Sequence, residues 1–488
     1  MLITLYRRVR NDSLARNSLL IMATTVANGG LGYVYWMLAA RMVTPAQVGT
    51  ATALISAATA VSMVANLGAG HMFIQRLPSA GVRRWSRVVG VGLLAGCAVT
   101  AAVAAAGALI VPAIAVNFGF LTGLTGTAAL VCAATAVTAT TLLDCVYVAH
   151  RAGHGMLTRN LLLAAGKIAG LLAVLSAGAH SAGAVVLSWT VPTLLVAAGT
   201  IVAGLGRLRP GARLRLRLSG LRAELPHLRA ALTGHHLINL TQAGPAAVLP
   251  VLVTARLGPG ATAHFYLAWM TASILFMVSP AVASALYAER TNDSRVGLPR
   301  AAAVVLVMVG APATLLLAGG DTLLGLFSAG YATGAGPLLR ILVLAAVPDA
   351  VTNLAVAHWR SRGEFARCRR LNAVRAATCL SLTWLLLPAL GVTGAGVAWL
   401  IGQSAGALLV LASAVTSRRR PGTLRRRPFC GFADARPPGD VSPGSVPPTG
   451  VSPAALLAGA GGCVGRSEAP RSAGQELTGD VPQREGRA

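Results

Sequence analysis

Twelve times between residues 14 and 415 the chain stays apolar for about twenty residues or more before arginine or a turn interrupts it. The runs fall at approximately 14–40, 46–70, 88–116, 125–149, 156–178 and 182–204, then at 231–254, 261–288, 301–319, 337–359, 371–390 and 392–415. A helix rises 1.5 Å per residue, so runs of this length match a ~30 Å hydrocarbon layer. Lipid offers backbone N–H and C=O groups no partner, so each run must satisfy itself as a helix. The first run is too long for a signal-peptide core and lacks a persuasive cleavage site, so it reads as an uncleaved helix. The expected fold is an all-α integral membrane protein of about twelve spanning helices. Only 11% of residues are charged, against roughly 25% in soluble domains.

The arginines set the organisation. Seven of them (207, 209, 213, 215, 217, 222 and 229), with one acid, Glu224, crowd residues 206–230 and cannot cross a bilayer. They divide the chain into an N-terminal six-helix bundle (1–205), a basic linker (206–230), a C-terminal six-helix bundle (231–415) and a tail (416–488). Alternate loops and the N-terminus together hold twenty-five arginines, whereas the intervening loops hold only Arg41 and Arg256. By the positive-inside rule both termini and the linker are expected in the cytoplasm. The net charge of +27 therefore faces anionic lipid and cytoplasm and is no sign of nucleic-acid binding. The tail, rich in Pro, Gly and Ser, has too little apolar surface to bury a core and is expected to be disordered. The seven cysteines lack C-x-x-C spacing and read as small hydrophobes, without a disulfide framework or metal site.

The halves echo each other. Val148-Ala149-His150 recurs as Val356-Ala357-His358, and the same offset of 208 sets Gly155 on Gly363, Arg159 on Arg367, and Lys167, the only lysine, against Arg375. With an even number of helices per unit, the repeats keep one orientation, an arrangement common in transporters with a site between the repeats.

The segments WMLAARMVTPAQVGTATAL (36–54) and NLGAGHMFIQRLP (66–78) resemble the opening of the polysaccharide-biosynthesis flippases of the MOP (multidrug/oligosaccharidyl-lipid/polysaccharide) superfamily. PVLVTARLGPGATAHFY (250–266), LLGLFSAGYATGAGPLLR (323–340) and LGVTGAGVAWL (390–400) are similar to later stretches of the same family. The resemblance covers about residues 10–415. It implies a V-shaped pair of six-helix bundles around a central cavity in a bacterial cell membrane. It also implies alternating-access movement of a polyprenyl-linked glycan from the inner to the outer leaflet. The expected partners are that substrate, membrane lipids and polysaccharide polymerase or glycosyltransferase machinery, with no cofactor and no nucleic acid.

An anionic headgroup drawn into such a cavity calls for buried cations and hydrogen-bonding side chains. An ionisable group within a span costs at least ~2.5–3.5 kcal/mol, so each one needs a reason. Lys167 and Arg375 are the candidate substrate cations, with snorkelling to the interface as the competing account. Asp349, and more weakly Asp144, are candidate coupling carboxylates or structural ion-pair partners. Asn28, in an Asn17/Thr24/Asn28 stripe, and His235, Asn239 and Gln242, at i, i+4 and i+7, lie on single helix faces. They suit a sugar-lined cavity, or equally interhelical hydrogen-bond glue.

Other classes fit less well. The single Gly166-Lys167 pair lacks the P-loop's glycine spacing and following Ser or Thr, which removes an ATP-driven pump. The first 415 residues hold eight scattered acids and no large outward loop, unlike a membrane glycosyltransferase or polymerase. An ion-coupled multidrug exporter of the same superfamily is the remaining alternative, because fold does not fix substrate.

Overall fold

The computed structural model describes residues 13–212, 220–232, 236–292, 298–362 and 364–418. The six long helices of the first half are α1 (Ser13–Met42), α2 (Pro45–Ala65), α4 (Val82–Ile114), α5 (Gly123–Ala149), α6 (Gly153–Ser176) and α7 (Ala182–Leu208), with a short α3 (Ala69–Arg76) after α2. A short linker helix, α8 (Leu221–Ala231), leads to α9 (Leu237–Leu257), α10 (Pro259–Asn292), α11 (Leu298–Gly325), α12 (Ala329–Ser361), α13 (Phe365–Leu390) and α14 (Val392–Arg418). Eleven of these are long and apolar enough to cross a membrane among the described residues. The thirty-residue α1 is the twelfth by length; Asn28, its glycines and its two tyrosines lower its apolarity. No strand occurs among the described residues.

Local chemistry explains where the helices begin and end. Thr44 and Gln47 form a reciprocal capping box at the start of α2, with Pro45 in the first turn, where a missing N–H costs nothing. The run 46–70 reads as one segment, but the helix stops at Ala65. Leu67 and Gly68 take positive φ, and Gly68 N–H donates to the Asn66 side chain at 2.9 Å. A Cβ at Gly68 would also meet the Ala231 carbonyl and the His236 Cβ at 3.0–3.1 Å, so glycine is required there on two counts.

Large apolar side chains remain exposed on the outer faces of the long helices, among them Leu109 and Ile114 of α4, Leu195 of α7, Leu315 of α11 and Leu385 of α13. Patches of this kind on long helices fit contact with lipid chains. Inside, the apolar core is unevenly shared. One cluster joins both halves: Trp36, Val48 and Phe118 from the first, Val253, Phe265 and Phe327 from the second. At the other end the core divides. Among the described residues, Phe73, Trp85 and Leu143 pack with first-half and linker residues, and Val356, Trp359 and Leu371 pack with second-half residues.

The linker is not an independent piece. Leu228 and Ala231 of α8 are buried in the first half's own cluster. Glu224, 1% exposed, accepts from Arg76 Nη1 and, at 3.1 Å, from Arg87 Nε of α4. Removing either partner of such a buried pair is costly, so α8 travels with the first half. Arginines 213, 215 and 217, and the tail from residue 419, lie outside the described residues.

Candidate functional site

In the first half a polar chain runs from α1 through α6 to α5. Asn28 Nδ2 donates to Asn160 Oδ1 at 3.1 Å, and Asn160 Nδ2 donates to Asp144 Oδ1 at 3.0 Å. Arg159 Nη2 donates to the same carboxylate oxygen and to the Thr140 carbonyl at 3.2 Å. Arg159 is buried, and its Nε and Nη1 have no described acceptor. Asp144 keeps 25% of its side-chain surface, and Asn28 is exposed. The network is thus buried at its arginine end and open at its asparagine end.

The second half builds a counterpart whose carboxylate and arginine sit on the corresponding helices. Asp349 of α12 accepts from Ser279 Oγ of α10 at 2.9 Å, from Asn353 Nδ2 at 2.8 Å and from Arg375 Nη2 of α13 at 3.4 Å. Pro348 breaks the α12 hydrogen-bond ladder next to Asp349. Gly406 of α14 lets that helix approach the arginine, since a Cβ there would lie 2.8 Å from Arg375 Cγ. Under the sequence offset of 208, Asp144 falls on Thr352, one helical turn from Asp349, and Arg159 falls on Arg367, not on Arg375. The chemistry repeats while the register does not.

Lys167 lies elsewhere. Its Nζ sits 3.7 Å over the ring centroid of Trp189 on α7. Gly166 and Gly170 pack against Pro192 on the same helix, drawing α6 and α7 close. No described contact brings Lys167 and Arg375 together; one is held by an aromatic face and the other by a carboxylate. Gln242 Oε1 accepts from Arg360 Nη2 at 3.0 Å. Asn239 is placed on α9, and His235 lies outside the described residues. Neither Arg159 nor Asn160 is among the site residues expected from the sequence. The readable signal was their position inside an apolar run, where a charge requires a partner.

The halves touch most closely at the end opposite the linker. A Cβ on Gly49 of α2 would lie 1.7 Å from the Pro259 carbonyl oxygen of α10, so the backbones there are in direct contact. Asn117 Nδ2 donates to the Ala255 carbonyl at 3.0 Å, Arg41 Nε to the Leu326 carbonyl at 2.6 Å, and Trp36 meets Tyr266 edge-on. At the linker end of the first half, Trp85 Nε1 donates to His150 Nε2 at 2.7 Å. Burial, then the charge of Arg209, holds His150 below the ordinary histidine value.

No family model and no curated sequence matches the chain. Solved structures do. The lipid II flippase MurJ in an inward closed conformation aligns over 82% of this chain and 88% of its own, with a TM-score of 0.66 at 12% identity. An inward-facing multidrug resistance MATE family transporter of the MOP superfamily aligns over 80% and 94%, with a TM-score of 0.56 at 15% identity. A MATE protein in complex with MaL6 aligns over 84% and 97%, with a TM-score of 0.53 at 14% identity. These likenesses extend across both halves and carry the architecture and nothing finer: the chain is a multi-pass membrane protein with the fold of the MOP-superfamily transporters.

Proposed function

We propose that the chain flips a lipid-linked oligosaccharide or polysaccharide precursor across the cytoplasmic membrane by alternating access, for surface or exported glycan assembly. The observation that carries this reading is the charge balance within the spans. Among the described residues within the spans, Arg159 is matched by Asp144, Arg340 by Asp321 and Arg375 by Asp349, which leaves Lys167, whose described partner is the Trp189 ring. A desolvated cation–π contact contributes about 2 kcal/mol, short of the ~2.5–3.5 kcal/mol insertion cost. A lysine so placed suits an anionic pyrophosphate headgroup, whose charge would hold it protonated. A core shared at one end and divided at the other is the shape of a carrier closed on one side. If the arginine-rich loops face the cytoplasm, the divided end opens inward, toward the leaflet where a polyprenyl-linked glycan is made. Glycosyltransferase or polymerase partners belong to the same reading.

The test is flipping of a labelled polyprenyl-linked sugar in vesicles, normalised to protein amount. Lys167→Gln is expected to slow it at least tenfold, and Lys167→Arg to keep most of it, because the charge and the ring contact survive. Wild-type flipping by Lys167→Gln would end the proposal. The second reading, an ion-coupled exporter of organic cations, draws on the buried Asp349 and the Trp269–Phe276–Trp399 aromatic cluster in the same half. It predicts instead efflux of a lipophilic cation that Asp349→Asn abolishes.

A further inference from the structure

The linker helix α8 has an apolar face that the described residues cover only in part. Leu221, Leu225, Leu228 and Leu232 follow i, i+4, i+7, i+11 spacing, which aligns them along one side. Leu228 is buried, yet Leu225 is 39% exposed. Beside this face is a cavity of about 510 Å³ between α8 and α4, within the roughly 300–1,000 Å³ range of small-molecule sites. Val91, Ala95 and Val99, at i, i+4 and i+8, form the α4 wall, and Leu221, Leu225 and Leu232 form the other. Arg229 is the one charged residue among those lining it. The exposed Arg222 lies seven positions earlier on the same helix, two turns away on the same side.

A cavity without polar partners along its length gives water no reason to enter. Its α4 wall runs from Val91 to Val99, beginning about one turn beyond Arg83, Arg84 and Arg87 and lying within the apolar span. An apolar slot with cations at the interface complements a molecule with a hydrocarbon chain and an anionic head. We propose that this groove is a binding site for an anionic phospholipid of the leaflet next to the arginine-rich loops, with one acyl chain between α4 and α8 and its phosphate at Arg222 and Arg229. Charge complementarity selects the anionic lipid over a zwitterionic one, since basic residues at the membrane surface attract anionic headgroups. The occupant would brace α8 against α4 alongside the Glu224 clamp. Lipid composition would then act on the element that leads into the second half.

The experiment uses the full-length protein in detergent micelles, titrated with phosphatidylglycerol or with phosphatidylcholine of the same chains. Melting temperature and the immobilised fraction of spin-labelled phosphatidylglycerol are read in parallel. Phosphatidylglycerol is expected to act at a concentration at least fivefold lower than phosphatidylcholine. Ala95→Phe, which fills the slot, and the double change Arg222→Gln/Arg229→Gln, which removes the headgroup contacts, should each erase that difference. Leu385→Phe, on an exposed face of α13, should leave it intact. Because both arginines are exposed, the double variant tests the site even if Ala95→Phe fails to fold. Equal responses to the two lipids, or a preference that survives the arginine changes, would overturn the proposal. Preferential displacement of the label by a polyprenyl phosphate would overturn it too, and assign the groove to the carrier lipid.

Discussion

Asp144 in the first half keeps a quarter of its side-chain surface and connects through Asn160 to the exposed Asn28, whereas Asp349 in the second keeps 7% and is enclosed by Ser279, Asn353 and Arg375. Both carboxylates occupy the fourth long helix of their half, and both are paired with an arginine on the fifth. The difference lies in access. A sealed pair holds helices together, and its charge cannot reach a passing solute. A pair with a polar lead to the surface can exchange partners as the halves rearrange. The two halves therefore share a carboxylate–arginine pair on matching helices and differ in how far that pair is enclosed.

The largest effect should come from breaking the sealed pair. Arg375→Gln strands a buried carboxylate and is expected to cost roughly 3–5 kcal/mol, read as a fall in melting temperature of the solubilised protein. Adding Asp349→Asn should recover at least half of that loss. An unchanged melting temperature in Arg375→Gln would favour the substrate-cation role expected of Arg375 over a structural one. Next, Asp144→Asn is expected to cost about 2 kcal/mol, discounted because part of the side chain is open to solvent, and to depress transport beyond its effect on stability. Equal losses of transport per folded molecule from Asp144→Asn and Asp349→Asn would erase the contrast between the halves. Smaller still, Asn28→Ala removes one hydrogen bond, about 1 kcal/mol or less. It should leave melting almost unchanged while altering substrate affinity, and no change in affinity would reduce the asparagine lead to packing.

The smallest effect concerns His150. Its value in the folded protein is depressed, so the unfolded chain binds the extra proton first as pH falls through 6.5. The contribution of the neutral ring bonded to Trp85 is complete above that pH and drains away below it. Wild-type protein should lose more melting temperature between pH 7.5 and 5.5 than His150→Gln, and identical slopes would remove His150 as a titrating contact.

The twelve helices were legible because span length is dictated by bilayer thickness, a constraint that apolar run length expresses directly. The polar pairing was not. A snorkelling arginine and a buried, ion-paired arginine look alike in sequence, so Arg159 drew no site role and Arg375 stood open to either account. Which carboxylate meets which arginine depends on helix rotation, and the 208-residue echo placed Asp349 one turn away from its true counterpart. Glu224 was a readable clue left unused: a lone acid among seven arginines, on a helix with leucines at four- and three-residue spacing, marks a face that docks. The stretch 66–78 carried its own break in Asn66 and Gly68, which the apolar pattern concealed.

The docking of α8 sets a mechanical limit. With that helix fastened to the first half, the connection from Ala231 to Leu237, where α9 begins, is six residue-to-residue links long. At ~3.3–3.6 Å per residue such a leash spans at most about 20 Å. At this end the covalent connection tethers the two halves within that distance, and His236 adds a hydrogen bond to the Val64 carbonyl at 3.1 Å.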